Sequence, residues 1–174
     1  MGNVRKVNRG KDFESEIKSC LEICQNVSLD RLPDQMSGYK GSKNICDYSM
    51  FCSPDMFYLE CKSKYGNTLN YKGDVSEDQW NGLMEKSRIY RCIAGICVWY
   101  IDHDITVFCD IRDLNEHRLN GAKSLNIKDI TGENCVPHFI IDGIKKRVKF
   151  KYFGESFLRN LHRLSDDTWG DKHE

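Results

Sequence analysis

The sequence predicts an α/β domain with a central mixed β-sheet flanked by helices. Three observations carry that expectation. Phe13, Ile17, Cys20, Leu21 and Cys24 recur at helical spacing near the start of the chain. Dense β-forming runs occupy residues 44–52, 56–64 and 93–101. Between the second and third runs, Ser76-Glu77-Asp78-Gln79 has the Ser-x-x-Gln form of a capping box that opens a helix. The order helix, strands, helix, strands is that of an α/β domain.

The elements follow in order. The first helix is expected over 11–25, with Glu14, Glu16, Lys18 and Glu22 off its apolar stripe. A short strand over 27–32 leads into an exposed loop marked by Pro33, Gly38, Gly41 and Ser42. The runs 44–52 and 56–64 flank Ser53-Pro54-Asp55, a turn signal, and so form a hairpin. Residues 65–74 read as a Gly/Asn loop, and the capped helix then extends to about residue 90. The run 93–101 reads as a buried strand, with Trp80, Trp99 and Tyr100 in the core. Asp102-His103-Asp104 turns the chain into a strand over 105–109, which leaves His103 a solvated turn residue. A short helix over 112–120 stops at Gly121. Asp142-Gly143 reads as the turn of a second hairpin with arms 135–141 and 144–153. A last amphipathic helix covers 155–164. Residues 1–164 are therefore expected to form one domain with a basic arm at 1–10, and 165–174 an acidic flexible tail.

Composition narrows the function classes. The 174 residues are 40% hydrophobic and 30% charged, which excludes a wholly disordered chain. No window approaches 18 consecutive apolar residues, so no membrane span is expected. The start of the chain is polar and basic with no apolar core, unlike a secretory signal. A reducing cytoplasm is the expected compartment, that of the host if a virus encodes the protein. The nine cysteines show no Cys-x-x-Cys pair and sit mostly inside apolar runs, where free cysteine acts as a small hydrophobe. The formal net charge of zero hides a gradient. Arg5, Lys6, Arg9 and Lys11 open the chain without an acid. The last ten residues hold Asp166, Asp167, Asp171 and Glu174 against Lys172, so the other 164 carry a net charge of plus three. Such local patches steer an anionic partner more than the total does.

The chemistry concentrates in N-I-C-D-Y-S-M-F-C-S-P-D-M-F-Y-L-E-C-K, residues 44–62. Strand residues two apart point to one face, which sets Glu60 beside Lys62. The hairpin folds Asp47 back towards them. Two carboxylates and an ammonium then converge. Paired carboxylates suit Mg²⁺, with Mn²⁺ as a substitute, because such cations take oxygen ligands and keep several waters. A metal held there polarises a phosphodiester and lowers the pKa of bound water. The lysine orients that water or stabilises charge in the transition state. On its own a Glu-x-Lys pair reads as a solvated strand face. Here the apolar run Phe57-Tyr58-Leu59 ends directly in the pair and puts it at the rim of a core strand.

An aspartate, a dozen or so residues, then Glu-x-Lys on a hairpin resembles the PD-(D/E)XK nuclease superfamily, with Cys46 where the proline of that name would stand. Arg9-Gly10-Lys11-Asp12-Phe13-Glu14 resembles the Gly-x-x-x-Glu start of Holliday-junction resolvases. From residue 9 to about residue 100 the chain is similar to the RecU-type resolvases, with kinship to the archaeal ones. The loop R-L-P-D-Q-M-S-G-Y-K-G-S, residues 31–42, is similar to the basic approach to the motif aspartate in those families. The resemblance implies a restriction-endonuclease-like core, with Glu14 joining Asp47 and Glu60 as metal ligands and Lys62 assisting the attacking water. It also implies a site role for Gln79, which the capping box explains equally well.

The expected function is therefore a Mg²⁺-dependent, structure-selective DNA endonuclease that resolves four-way (Holliday) junctions by paired symmetric nicks. A two-fold symmetric junction needs two matched cuts, which a homodimer supplies. Phosphate contacts are expected from Arg5, Lys6, Arg9 and Lys11, from Arg31, Lys40 and Lys43, and from Arg147, Lys149 and Lys151. The last three alternate with Val148, Phe150 and Tyr152 and so share one face of a strand. The rival readings are a restriction-like or DNA-repair nuclease of the same superfamily, and a non-catalytic nucleic-acid-binding protein with a degenerate nuclease core.

Overall fold

The computed structural model describes residues 9–32, 44–147 and 149–170. Helix α1 (Arg9–Glu22) precedes β1 (Ser28–Arg31), β2 (Tyr48–Cys52) and β3 (Asp55–Lys64), each strand antiparallel to the one before. A short β4 (Thr68–Asn70) and helix α2 (Glu77–Lys86) follow, and β5 (Cys92–Tyr100) then lies parallel to β3. β6 (Ile105–Asp110) returns antiparallel to β5 and leads into α3 (Ile111–Leu119). After β7 (Ser124–Asn126) and α4 (Lys128–Thr131), the two-residue β8 (Phe139–Ile140) pairs with β6. β9 (Gly143–Lys146), β10 (Lys149–Tyr152) and α5 (Gly154–Trp169) complete the order. The result is a mixed six-stranded sheet, β1-β2-β3-β5-β6-β8, flanked by helices.

β5 is the centre of this sheet because its sequence, CIAGICVWY, is apolar on both faces, as a doubly covered strand must be. All nine residues are buried. Ile93, Cys97 and Trp99 face the core under α1 and α5, with Phe13, Ile17, Leu21, Phe57, Phe157 and Leu161. Ala94, Ile96, Val98 and Tyr100 face the core under α2 and α3, with Trp80, Leu83 and Leu114. Gly95 carries the ring of Phe108; an added Cβ would lie 2.5 Å from that ring and 2.3 Å from the Cys109 carbonyl oxygen. Trp80, Trp99 and Tyr100 are core residues, as expected, and the His103 ring bonds Asn67 at the surface. Eight of the nine cysteines are buried with free thiols. Among the described residues no helix is long and apolar enough to cross a membrane.

Four elements differ from the sequence expectation, each for a physical reason. The helix that opens at the capping box ends at Lys86 instead of near residue 90. Arg91 adopts φ 58°, and its carbonyl accepts from Met56 N (2.9 Å), which starts β5 against β3. Within the expected loop 65–74, Thr68–Asn70 pairs antiparallel with Ser124–Asn126, a partner too distant in sequence to read locally. The second hairpin pairs Gly143–Lys146 with Lys149–Tyr152, so it turns after Lys146 and not at Asp142-Gly143. Gly143 serves close packing there: an added Cβ would lie 2.8 Å from the Lys151 carbonyl oxygen.

The last helix runs to Trp169, five residues beyond its expected end, so residues 165–169 are not a frayed tail; residues 171–174 lie outside the described set. The cause is a buried polar cluster. Asp55 is fully buried and accepts from Ser165 Oγ (2.6 Å), from Arg91 Nη2 (3.2 Å) and from His162 Nδ1. Arg91 Nε also lies 2.7 Å from Asp55 Oδ1, an ion contact off the N–H direction. Arg91 Nη1 donates to Asp166 (2.9 Å), and Arg112 Nη2 donates to Thr168 (3.3 Å) while its guanidinium covers the Trp169 ring. α5 also meets α1 closely: a Cβ at Gly154 would lie 1.8 Å from the Cys20 carbonyl oxygen.

Candidate active site

The hairpin register delivers the first carboxylate. Tyr48 pairs with Leu59, and Asp47 N donates to the Leu59 carbonyl at 3.2 Å. One step on, the Asp47 side chain replaces the next backbone carbonyl: Cys61 N donates to Asp47 Oδ2 at 2.8 Å. The Asp47 backbone carbonyl turns the other way and accepts from Leu32 N at 2.9 Å. This holds the Asp47 carboxylate beside the Glu60-Cys61 peptide.

The alternation of β3 supplies the rest. Cys61 points into the core under α1, so Glu60 and Lys62 point to the α2 side. Glu60 is 2% exposed. Its Oε1 accepts from Lys62 Nζ and from Gln79 Nε2, both at 2.7 Å. Gln79 is also the capping-box residue: its Oε1 accepts from Ser76 N (3.1 Å), and its own N–H donates to Ser76 Oγ (3.2 Å). Cap and site thus share one side chain, so the two explanations of Gln79 are not alternatives.

Glu60 Oε2 is buried and, among the described residues, has no hydrogen-bond partner. A buried carboxylate oxygen in that state is expensive unless something pairs with it. Burial pushes the Glu60 pKa up to about 7, the nearby Asp47 charge adds to the rise, and Lys62 and Gln79 oppose it. Burial likewise lifts the Cys46 thiol to about 12, helped by the charges of Glu60 and Asp47. The locus therefore sets two carboxylates against one ammonium and, among the described residues, leaves one buried acceptor unused. A hard divalent cation has the chemistry that answers both features. Asp47 and Glu60 would hold it, with water completing its shell. Among the described residues, no three His, Cys, Asp or Glu side chains gather closely enough to hold an ion by themselves.

Glu14 stands to one side of this pair. Its carboxylate accepts from Arg31 Nη2 at 3.2 Å, and its backbone carbonyl accepts from Tyr48 Oη at 3.1 Å. Burial raises the Tyr48 pKa, and the Glu14 and Asp47 charges add to it, so both carboxylates lie within electrostatic reach of that phenol. The structure thus brings Asp47, Glu60, Lys62 and Gln79 together and keeps Glu14 across Tyr48, paired with Arg31.

The expected phosphate contacts divide. Arg5, Lys6, Lys40 and Lys43 lie outside the described residues. Arg9 opens α1, 3.9 Å from Asp12, and Lys11 is exposed. Arg147 sits in the β9–β10 turn and does not share a strand face with Lys149 and Lys151, because the turn falls where a strand was expected. Lys149 and Lys151 are exposed on one face of β10, and Lys149 bonds Glu16. Phe150 and Tyr152 turn inward against Trp99 and Phe13. The sequence reading missed Lys64, whose Nζ donates to Asp74 at 2.6 Å. Its spacing of two from Lys62 was the available signal.

No family model matches the chain, nor does any curated protein. Among solved structures, a Holliday junction resolvase from the archaeal hyperthermophile Archaeoglobus fulgidus is similar with a TM-score of 0.44 and 16% identity, covering 71% of this chain and 100% of that one.

Proposed function

We propose that this chain is a Mg²⁺-dependent DNA endonuclease that resolves four-way junctions by paired symmetric nicks as a homodimer, in the manner of the RecU-type resolvases. The observation that supports the reading is the buried Glu60 carboxylate beside Asp47, one oxygen fixed by Lys62 and Gln79 and the other without a partner among the described residues. Asp47 and Glu60 would hold the metal, and Glu14, which lies across Tyr48, is the further carboxylate this reading assigns to the site. The bound ion supplies Lewis acidity and a more acidic water. Lys62 orients the water that adds to phosphorus and stabilises the charge that develops there as the P–O bond to the leaving strand breaks. Gln79 fixes the Glu60 rotamer and leaves Oε2 available. Mn²⁺ substitutes for Mg²⁺, since both accept oxygen ligands.

The separation of Glu14 from the Asp47–Glu60 pair favours a second reading, a non-catalytic nucleic-acid-binding protein with a degenerate core. Incubating the protein with a synthetic four-way junction and with linear duplex, with Mg²⁺ or with chelator, separates the readings. Symmetric nicking of the junction with Mg²⁺, lost in Asp47→Asn, is the expected result. Sequence-specific cutting of linear duplex would point to a restriction-like nuclease. Binding without cleavage under any divalent metal would leave the degenerate core.

A further inference from the structure

We propose that the cleft between the β4–β7 ribbon and the end of α3 is a second binding site for nucleic-acid phosphates, on the opposite side of the sheet from the β9–β10 hairpin. The inference rests on the nuclease reading above and adds a contact surface to it.

The cleft has a volume of about 610 Å³, and its lining includes Asn70, Tyr71, Lys72, Gly73, Arg118 and Lys123. It is cationic, and among the described residues no carboxylate lines its wall. Tyr71 N donates to the Lys123 carbonyl at 3.1 Å, which sets Lys72 and Lys123 at the same end of the ribbon. Both lysines are exposed. Gly121, also in the wall, has φ +99° with nothing within 4 Å of where a Cβ would lie, so the approach is open. Arg118 is held rigidly, its guanidinium 4.7 Å from the Trp80 ring centroid and its Nη2 donating to Glu77 at 2.7 Å. Glu77 is itself 57% exposed, so a phosphate can exchange for it at little desolvation penalty.

Position ties the cleft to the candidate site. Glu77 lies in the first turn of α2, two residues from Gln79, which holds Glu60. On the other flank, the Asn70 carbonyl accepts from Asp74 N, and Asp74 holds Lys64, on the same face of β3 as Lys62. The next residue, Tyr65, is exposed and lines a cleft of about 230 Å³ with Arg9, Lys145, Arg147 and Lys149. The two basic clefts therefore flank the end of β3 that carries Glu60, Lys62 and Lys64, one on each layer of the sheet. A polyanion that occupies both passes across the candidate site. Its contacts are with phosphates, which position the substrate without reading bases.

The test compares wild type with Lys72→Gln/Lys123→Gln in junction binding with chelator present, titrated from 50 to 200 mM salt. Arg118 is left in place because it also covers Trp80. A double variant with the same charge change outside both clefts, Lys18→Gln/Lys128→Gln, is the control. Losing two phosphate contacts should reduce the slope of log affinity against log salt by about 2, so the deficit of the variant shrinks roughly tenfold across that salt range. The control should keep the wild-type slope, and thermal melts should show both variants folded. A cleft variant that binds with the wild-type slope, while wild type binds and cuts, overturns this inference and leaves the nuclease reading standing. An equal loss in the control overturns it too, as a general charge effect. Failure of wild type to bind the junction overturns both.

Discussion

Replacing Glu60 by glutamine tests the candidate site without requiring activity. Glutamine keeps the size of the side chain and can still accept from Lys62 and Gln79, but it does not ionise. In the folded protein the Glu60 pKa stands at about 7 against an ordinary value of 4.5, because burial and the Asp47 charge disfavour the carboxylate. Below pH 4.5 the group is protonated in both the folded and unfolded states, and folding stability is at its full value in this respect. As pH rises from 4.5 the unfolded chain ionises first and stability falls; above about 7 the folded carboxyl ionises too and the loss levels off. At about 1.4 kcal/mol per unit, the loss is on the order of 3 kcal/mol. Glu60→Gln lacks this titration. Its stability relative to wild type should therefore rise by about that amount between pH 4 and pH 8, whatever its constant offset. Urea unfolding of both proteins with chelator, at half-unit steps of pH, reads the difference directly. Parallel stability curves would refute the account of Glu60 as a buried, charge-strained carboxylate. Adding Mg²⁺ at about a hundredfold over its dissociation constant should return roughly 3 kcal/mol to wild type at pH 8 and little to the variant.

Other substitutions probe neighbouring parts of the molecule. Glu14→Gln should reduce cleavage sharply and Glu16→Gln should not, since Glu16 is engaged by Lys149 away from the Asp47–Glu60 pair; equal rates in single-turnover assays would remove Glu14 from the site. Arg91→Ala removes the guanidinium from the buried Asp55 and leaves it only Ser165 and His162, and should lower stability by about 3 kcal/mol in urea titrations. Gly95→Ala forces a methyl against the Phe108 ring and the Cys109 carbonyl and should cost about 1–3 kcal/mol, read as a shifted melting midpoint. Neutralising Arg147, Lys149 and Lys151 together should lower the salt slope of junction binding by up to about 3, similarly for any arm sequence.

The sequence made the Asp47, Glu60, Lys62 arrangement legible because strand alternation and a hairpin turn are local rules, and both held. The capping box was legible for the same reason. That Gln79 both caps α2 and bonds Glu60 was not, because the second contact depends on how α2 packs over β3. Asp142-Gly143 has the composition of a tight turn, yet Gly143 is needed for close approach to β10, and composition does not separate those two uses of glycine. Asp55 read as a turn residue because its partners His162 and Ser165 lie more than a hundred positions away. The β4–β7 ribbon was missed for the same reason: neither three-residue strand carries a pattern of its own.

The polar cluster at Asp55 sets a timetable for the growing chain. The tip of the first hairpin meets His162 and Ser165 only 107 and 110 residues later. At about 5–20 residues per second, a ribosome needs roughly 5–20 s to make that interval. Throughout it the Asp55 carboxylate lacks His162 and Ser165, and the Arg91 guanidinium, once made, lacks Asp166, so water must serve in their place. That end of the sheet cannot dry out until the final helix emerges and docks. A message cut short before Ser165 would encode all ten strands yet release a product with this carboxylate under-bonded, open at the hairpin tip and exposed to proteases. Helix α5 thus seals the start of β3, the strand that carries Glu60 and Lys62 further along.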